Sequence, residues 1–440
     1  MDTISFFVLS FLLLSSSLVL SSVLSASSTE REALEIIIGG GGDAPNPPSH
    51  YDHHPPVNCP PPPPPPPPSR LEKARRVLLK FATTIDDPNR FTSNWNGPNP
   101  CQYSGVKCAT YPNSKEQAVS GLDFNQAGFS TGQGSNLGLS GILDSIPELT
   151  FFHVNSNNFT GSVPTQITKY PFFYELDLSN NKLQGSFPKD VLSSKKLIFV
   201  DLRFNNLTGP VPPELFNMDL DVIFINNNQL SSHLPWNFGA TPARYLTFAN
   251  NRFTGPIPSS IGNASNTLTE VLFLGNQFSG CLPYEIGFLK KAIVFDVSKN
   301  SLTGPIPESF ACLQKIRFLN LAHNKFYGAV PESVCELSGI RNDGNLTLRD
   351  NYFTEVGPKC KKLIKSKVLD VSRNCIKGLP NQKSHEECYK FLSYVKPCPN
   401  EWSLKIVPCK KHDPKYDHET SSSPAPVTYE SLNPTRHRLM

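Results

Sequence analysis

The chain has 440 residues, including 42 prolines, 27 glycines and 11 cysteines, and its formal net charge at pH 7 is +4. This length allows one long domain or a few small ones, and so weak a net charge argues against a protein that binds nucleic acid through a strongly basic stripe. The prolines and glycines are unevenly distributed, which indicates that part of the chain lies outside any packed core.

The N-terminus resembles an export signal. Residues Ile4 to Leu24 are apolar and serine-rich, and the small residues Ser25, Ala26 and Ser27 follow them. A transmembrane anchor is the alternative, but the serines and the absence of a basic flank favour a signal peptide over residues 1–26 that is cleaved. No second apolar run and no hydrophobic tail follow, so the sequence predicts no membrane span.

Two further features indicate secretion. Cysteines are frequent, as in proteins of oxidising compartments, and sequons for N-glycosylation begin at Asn158, Asn206, Asn263 and Asn345. We therefore expect an extracellular glycoprotein with disulfide bonds.

Residues 27–69 form a Gly/Pro-rich segment that we expect to be disordered. It contains Cys59 and then nine consecutive prolines, Pro60 to Pro68, which favour a stiff, solvated polyproline helix. This segment could be a spacer, a ligand for a wall polymer or a proline-binding groove, or an inert linker. Residues 412–440 are polar and are also predicted to be disordered.

Residues 70–118 are predicted to cap the ordered domain at its N-terminal end. Ser69 and Glu72 have the spacing of a capping box, in which each side chain bonds a backbone amide of the other residue. Apolar residues follow at helical spacing until the Asp86-Asp87-Pro88 string, which ends the helix. Cys101 and Cys108 lie beside aromatic residues without a second metal-binding pair, and this favours a disulfide over a metal site.

A unit of 23 to 27 residues repeats through the middle of the chain. Its pattern is L-x-x-L-x-L-x-x-N-x-L-x-G-x-I-P, and the copy from Leu149 to Pro164 shows it clearly. The pattern places ten asparagines in one column: Asn157, Asn181, Asn205, Asn228, Asn251, Asn276, Asn300, Asn324, Asn351 and Asn374. A degenerate copy begins at Val119 and has Ala127 in place of the asparagine.

The physics of this unit predicts an α/β solenoid of leucine-rich repeats. Each Leu-x-Leu alternation makes a short strand, and units that cannot bury an apolar face alone must stack to share one core. We expect about ten to eleven repeats over residues 119–380, with a parallel β-sheet on the concave face. Cysteine-rich caps close both ends, the second over residues 381–411. The pairing of the late cysteines stays open, and Cys59 is the cysteine expected to remain unpaired.

The strand positions that face outward form the candidate ligand site. An apolar and aromatic centre is predicted at Phe199, Phe204, Phe224, Tyr245 and Leu272, and acids flank it at Glu175, Asp177, Asp201, Glu270 and Asp296. An apolar patch rimmed by charge is typical of a site for a peptide or protein. The alternative for the aspartates is structural, because an Asp in a Leu-Asp-Leu-Ser string can satisfy neighbouring backbone groups.

The C-terminal part of the chain has a basic surface with a predicted role. Between Glu355 and Lys411, thirteen lysines and arginines accompany five acids, which indicates contact with an acidic polymer such as pectin, or else a solvated face.

The sequence gives little support for catalysis. The Gly128-Phe-Ser-Thr-Gly132 string matches a nucleophile motif, but it lies in the degenerate repeat, and no cofactor or metal site is predicted.

The late repeats resemble a known family. The strings Asn276 to Gly287, Val294 to Ser298, Leu319 to Asn324, Ser333 to Cys335 and Glu387-Cys388 resemble the repeat domain of plant leucine-rich repeat extensins. The resemblance covers roughly residues 70 to 410. It implies a cell-wall (apoplastic) protein that binds small, cysteine-containing basic peptides, the rapid alkalinization factors, in wall-integrity and growth signalling, with a homodimer as a common assembly. The long Ser-Pro-rich extensin repeats of that family do not follow here, so the chain more closely resembles short relatives that lack them.

The sequence therefore predicts a secreted, non-enzymatic protein that recognises a peptide or another extracellular protein on its concave face. One alternative is an inhibitor of wall-degrading enzymes such as polygalacturonase. Another is a structural wall component held by its proline segment and basic cap.

Overall fold

A computed structural model describes residues 67–132 and 136–409. The predicted signal peptide, the proline run with Cys59 and the polar tail lie outside these residues. The described part folds as a solenoid of leucine-rich repeats whose turns stack in chain order, as the sequence predicts. Within it, no helix combines the length and the apolar composition that crossing a membrane requires.

The N-terminal cap consists of one helix and one hairpin. Helix α1 spans Arg70–Ala82, and strands β1 (Val106–Thr110) and β2 (Gln117–Asp123) pair in antiparallel fashion. Ser69 accepts a hydrogen bond from the Glu72 amide, but the Glu72 carboxylate bonds Arg76 at 2.8 Å, so the predicted capping box is only half formed. The arginine one turn later is the stronger partner, because its charge attracts the carboxylate.

A disulfide closes the loop of this cap. Cys101 bonds Cys108, the pair that the sequence predicts, and the rings of Trp95 and Tyr103 stack beneath the loop with centroids 5.7 Å apart. The Trp95 indole donates to the Ser104 carbonyl at 3.1 Å. These contacts give the first repeat a covered end, which an open solenoid needs.

The concave face is a sheet of twelve strands in which every pair after the first is parallel. Each repeat contributes a strand of three residues with its middle residue buried. After β1 and β2 the strands are β3 (Phe151–His153), β5 (Glu175–Asp177), β7 (Phe199–Asp201), β9 (Val222–Phe224), β11 (Tyr245–Thr247), β13 (Glu270–Leu272), β15 (Val294–Asp296), β17 (Phe318–Asn320), β19 (Asn345–Thr347) and the shorter β21 (Leu369–Asp370).

A second parallel sheet of nine strands covers one side of the stack. It is built from the L-x-G half of each unit. Its strands are β4 (Thr160–Gly161), β6 (Lys182–Ser186), β8 (Asn206–Gly209), β10 (Gln229–His233), β12 (Arg252–Gly255), β14 (Gln277–Cys281), β16 (Ser301–Gly304), β18 (Lys325–Val330) and β20 (Tyr352–Val356).

Short helices form the convex side. They follow the proline of most units, because a fixed φ suits the first turn of a helix and the missing N–H costs nothing there. The 3-10 helices are Thr165–Lys169, Lys189–Ser193, Pro213–Asn217, Phe238–Ala240, Ser259–Ala264, Tyr284–Phe288 and Glu308–Cys312, and a further one, Pro100–Gln102, precedes the repeats. One late unit has two short α-helices instead, α2 (Glu332–Cys335) and α3 (Ser338–Asp343).

The ten asparagines form a ladder along one side of the core. Asn251 is typical: its amide oxygen accepts from the Leu230 amide at 3.0 Å, and its amide nitrogen donates to the carbonyls of Ile225, Phe248 and Ala249. Each of the ten accepts from the preceding unit in this way, from Asn157 to Asn374. The ladder satisfies buried turn backbone that water does not reach.

The C-terminal cap is stapled to the late repeats. It follows the last repeat, which includes α4 (Pro358–Lys365), and it contains α5 (His385–Leu392) and the 3-10 helix Ser403–Lys405. Four disulfides hold this region: Cys335–Cys360, Cys375–Cys388, Cys281–Cys398 and Cys312–Cys409. The last two carry the strap, residues 393–409, back across earlier turns. Gly304 permits this path, because a Cβ atom there would collide with the Cys398 sulfur.

Candidate functional site

Two columns of side chains project from the concave sheet, and the strand register aligns them. One column follows the first residue of each strand, and the other follows the third. The first column contains Phe151, Glu175, Phe199, Val222, Tyr245, Glu270, Val294 and Phe318, and the second contains His153, Asp177, Asp201, Phe224, Thr247, Leu272, Asp296 and Asn320. Neighbours in a column lie on adjacent strands, about 4.8 Å apart.

Aromatic rings occupy the middle of these columns. The rings of Phe199 and Phe224 meet edge to face, with centroids 6.2 Å apart, and Tyr245 on the next strand is 39% exposed. The Arg203 guanidinium lies over the Phe224 ring, 4.7 Å from its centroid. Sequence reasoning missed Arg203, although its position two residues after Asp201 was a usable signal. The cation makes the centre of the patch more polar than its residue types suggest.

Phe204 belongs to the predicted aromatic centre, but it lies outside the concave strands. It occupies the turn after β7, immediately before the column asparagine Asn205, and is 38% exposed. Its φ is +51°, a left-handed conformation that bulky residues rarely adopt, whereas Asn180, Asn227 and Asn250 occupy the equivalent position in other units. Lys299, His323 and Arg373 have the same conformation at this position, so it belongs to the turn of the repeat, and the exposed aromatic ring is what distinguishes Phe204.

The aspartates of the second column have structural partners. Asp177 and Asp296 each accept the backbone N–H two residues later, that of Ser179 at 2.9 Å and that of Ser298 at 2.8 Å. Asp201 does the same with Arg203 and also accepts its guanidinium, and it is 0% exposed. Asp201 therefore does not present its carboxylate to solvent, and its role in ligand binding stays a prediction. The structural alternative holds here, because the short side chain closes the turn.

The stability of the fold should depend on the protonation of Asp201. Burial raises the pKa of its carboxyl to about 6, nearby Asp177 adds to the increase, and Arg203 opposes it. An aspartate in the unfolded chain titrates near pH 4, so the folded state loses stability relative to the unfolded state as the pH rises from about 4 through about 6. In Asp201→Asn this loss should vanish. Urea unfolding of both proteins at acidic and neutral pH measures this loss. If the parent loses no more stability than Asp201→Asn between the two pH values, the prediction is contradicted.

Glu175 pairs with a histidine on the neighbouring strand. Nε2 of His153 lies 3.1 Å from the Glu175 carboxylate, and the His153 ring packs on Phe151 with centroids 4.8 Å apart. Burial acts to lower the pKa of His153, but the hydrogen bond with Glu175 and the charges of Asp177, Glu175 and Asp123 outweigh it, so that the pKa is raised. Protonated His153 therefore offsets the charge that the Glu175 side chain presents.

Glu270 differs from the other acids of the patch. Among the residues that the structure describes, its carboxylate accepts no hydrogen bond and joins no ion pair, although burial raises its pKa. It lies on β13 next to Tyr245 of β11, and Leu272 is on the same strand. A half-buried carboxylate without a partner beside aromatic side chains is well placed to receive a cationic group from outside.

The four sequons lie on different surfaces. Asn206 and Asn263 are exposed, Asn158 donates to the Phe129 carbonyl at 3.3 Å, and Asn345 lies on the concave face as the first residue of β19. A glycan on Asn345 would cover the last strands of the concave sheet. This placement leaves the aromatic centre, four and more strands away, uncovered.

Two family models match parts of this chain. A family model described as Leucine rich repeat N-terminal domain matches residues 71–109, and the Leucine Rich Repeat model matches residues 173–193, 196–218, 243–264 and 293–313. Leucine-rich repeat extensin-like protein 6 of Arabidopsis thaliana is 43% identical over 332 residues, which cover 75% of this chain and 68% of the relative. Leucine-rich repeat extensin-like protein 2 of the same plant is 42% identical over 217 residues, 49% of this chain and 27% of the relative.

The chain thus spans about a quarter of one of these relatives and about two thirds of the other. Among solved structures, the Arabidopsis receptor kinase HAESA, in complex with the peptide hormone IDA and the co-receptor SERK1, aligns with a TM-score of 0.58 and 25% identity. The alignment covers 69% of this chain and 50% of that chain.

Proposed function

This chain belongs to the leucine-rich repeat extensin-like family, and from that premise we propose that it is a secreted cell-wall protein that binds a small basic peptide on its concave face without catalysing a reaction. The observation that carries the proposal is the row of aromatic side chains, from Phe199 to Tyr245, that ends beside the unpartnered Glu270. Secretion follows from the signal peptide predicted over residues 1–26. The HAESA complex supports the ligand class, because that repeat protein holds a peptide hormone.

The proposed mechanism divides two tasks between two kinds of residue. Phe199, Phe224 and Tyr245 provide a broad apolar contact with edges that remain polar, which suits the side chains of a compact peptide. Glu270 attracts a lysine or arginine of the peptide, and it gains a partner for a carboxylate that is costly to keep half-buried and unpaired. The partnered aspartates hold the strands and turns in place and do not contact the ligand.

Phe204 provides a test in which fold stability and ligand binding should change in opposite directions. Asparagine adopts the left-handed conformation more readily than phenylalanine, so Phe204→Asn should stabilise the fold by about 1 kcal/mol. Removing the exposed ring should weaken binding of purified rapid alkalinization factor peptides about tenfold. Thermal unfolding and calorimetric titration measure the two effects. A variant that is more stable and binds as tightly as the parent removes Phe204 from the site.

Glu270→Lys completes this experiment. It reverses the charge of the unpartnered acid and should weaken the same peptides more than tenfold. Its matched control is Glu214→Lys, which makes the same change on the exposed convex side and should leave the affinity unaltered. Equal affinities of both variants and the parent would contradict the proposal, and inhibition of a pectinase without peptide binding would favour the inhibitor alternative.

A further inference from the structure

A row of cations follows the edge of the concave sheet at which the chain enters each strand. It lies on the last four turns of the solenoid, in segments 290–293, 314–317, 341–344 and 364–367, which contain a single acid, Asp343. We call this row the basic edge. Its members are all exposed, and they are Lys290, Lys291, Lys315, Arg317, Arg341, Lys365 and Lys367.

The backbone holds these segments in register. The Arg317 N–H donates to the Ile293 carbonyl at 2.9 Å, the Asn345 N–H donates to the Arg317 carbonyl at 2.7 Å, and the Leu346 N–H donates to the Val368 carbonyl at 2.9 Å. Each segment is therefore one rung of the same ladder, and successive rungs are about 4.8 Å apart. The cations form a linear array whose spacing is set by the sheet.

Little within the protein neutralises this array. Arg317 lies 3.3 Å from Asp343, with both side chains more than half exposed, and the other six cations make no ion pair with any residue of the described ranges. The row is also not a general property of the repeat. Three turns before the segment 290–293, the equivalent edge has Asp219 and Asp221 instead, although Lys195 and Lys196 occupy it one turn before those. A cleft of about 460 Å³ opens along the basic edge and is lined by Ile293, Lys315 and Asn342 among others.

We propose that the basic edge binds a linear acidic polysaccharide of the polyuronate type. Such a polymer has one carboxylate on each sugar ring, so a regular row of anions would face a regular row of cations. Each exposed pair contributes little alone, and affinity would come from several pairs acting together and would decrease with salt. A membrane surface fits less well, because interfacial binding needs several apolar side chains that insert. Among the described residues of this edge, Ile293 alone is large, apolar and exposed.

The experiment titrates the full chain with polygalacturonate and with the same polymer fully methyl-esterified, at low and at high salt. Polygalacturonate should bind at low salt and the ester should not. The variant Lys291→Gln/Lys315→Gln/Lys365→Gln should bind polygalacturonate about tenfold more weakly than the parent.

A matched control removes three exposed lysines elsewhere, in Lys182→Gln/Lys189→Gln/Lys325→Gln, and should bind like the parent. Vesicles of anionic lipid form the second arm. No binding of polygalacturonate by the parent, equal losses in both triple variants, or binding to the vesicles in its place would each overturn the proposal. Unfolding midpoints of the variants, unchanged because all six positions are exposed, show that the comparison concerns binding alone.

Discussion

Asn251→Ala should destabilise the repeat array by about 3 kcal/mol, because one amide group serves four backbone groups. The Leu230 N–H loses the acceptor that the asparagine provides. Each of the three carbonyls keeps a second donor. The Asn228 side chain donates to Ile225 and the Asn276 side chain donates to Phe248. The backbone N–H of Asn227 donates to Ala249. The loss therefore combines one orphaned donor with three weakened acceptors in a place that water does not reach.

Urea denaturation followed by circular dichroism measures this change. Asn342→Ala is the matched control, since it makes the same substitution at an exposed position on α3 and should alter stability by less than about 0.5 kcal/mol. If the two variants unfold at the same urea concentration, the asparagine column does not stabilise the stack as the structure implies.

Removing the disulfide between Cys281 and Cys398 should release the strap. The two cysteines are 117 residues apart, and the neighbouring link from Cys312 to Cys409 remains, so the double variant to serine should lose about 4 kcal/mol. The strap has few other anchors, because Cys398 and Leu404 are its buried residues. Trypsin should then cleave after Lys405, which Ile406 follows, while the repeats stay intact.

The control for this experiment removes a link that does not hold the strap. Cys375 and Cys388 are 13 residues apart and connect the last repeat to α5. Their double variant to serine should leave cleavage after Lys405 as slow as in the parent. Mass spectrometry of the tryptic fragments separates the two cases, and equal cleavage in both variants would show that the strap is held by other contacts.

The repeat itself was predictable because its period is written into the sequence. The column of asparagines, the Leu-x-Leu strands and the outward columns follow from spacing alone, since a strand alternates its side chains and stacked units keep one register. The resemblance to extensin-like proteins was equally visible in the late strings, and the relatives confirm it.

The details of the site were less predictable because they depend on local competition between partners. The repeat pattern does not tell whether an outward aspartate faces a ligand or closes its own turn. In the structure, Asp177, Asp201 and Asp296 each accept a hydrogen bond from the backbone N–H two residues later. The residue type of Phe204 predicts a place in the aromatic centre, although its position before Asn205 puts it in a turn. The cysteine pairing required coordinates, because ten cysteines can pair in many ways.

The long links of the strap have a consequence for biosynthesis. Cys281 and Cys312 are synthesised about a hundred residues before Cys398 and Cys409, the partners to which the structure joins them. Before these partners are synthesised, Cys335 is the next cysteine after Cys312 in the chain and offers a wrong partner to both thiols. Its own partner, Cys360, follows only 25 residues after it. Correct oxidation must therefore follow the stacking of the repeats, and the last residues of the domain complete the covalent structure of turns that were synthesised long before them.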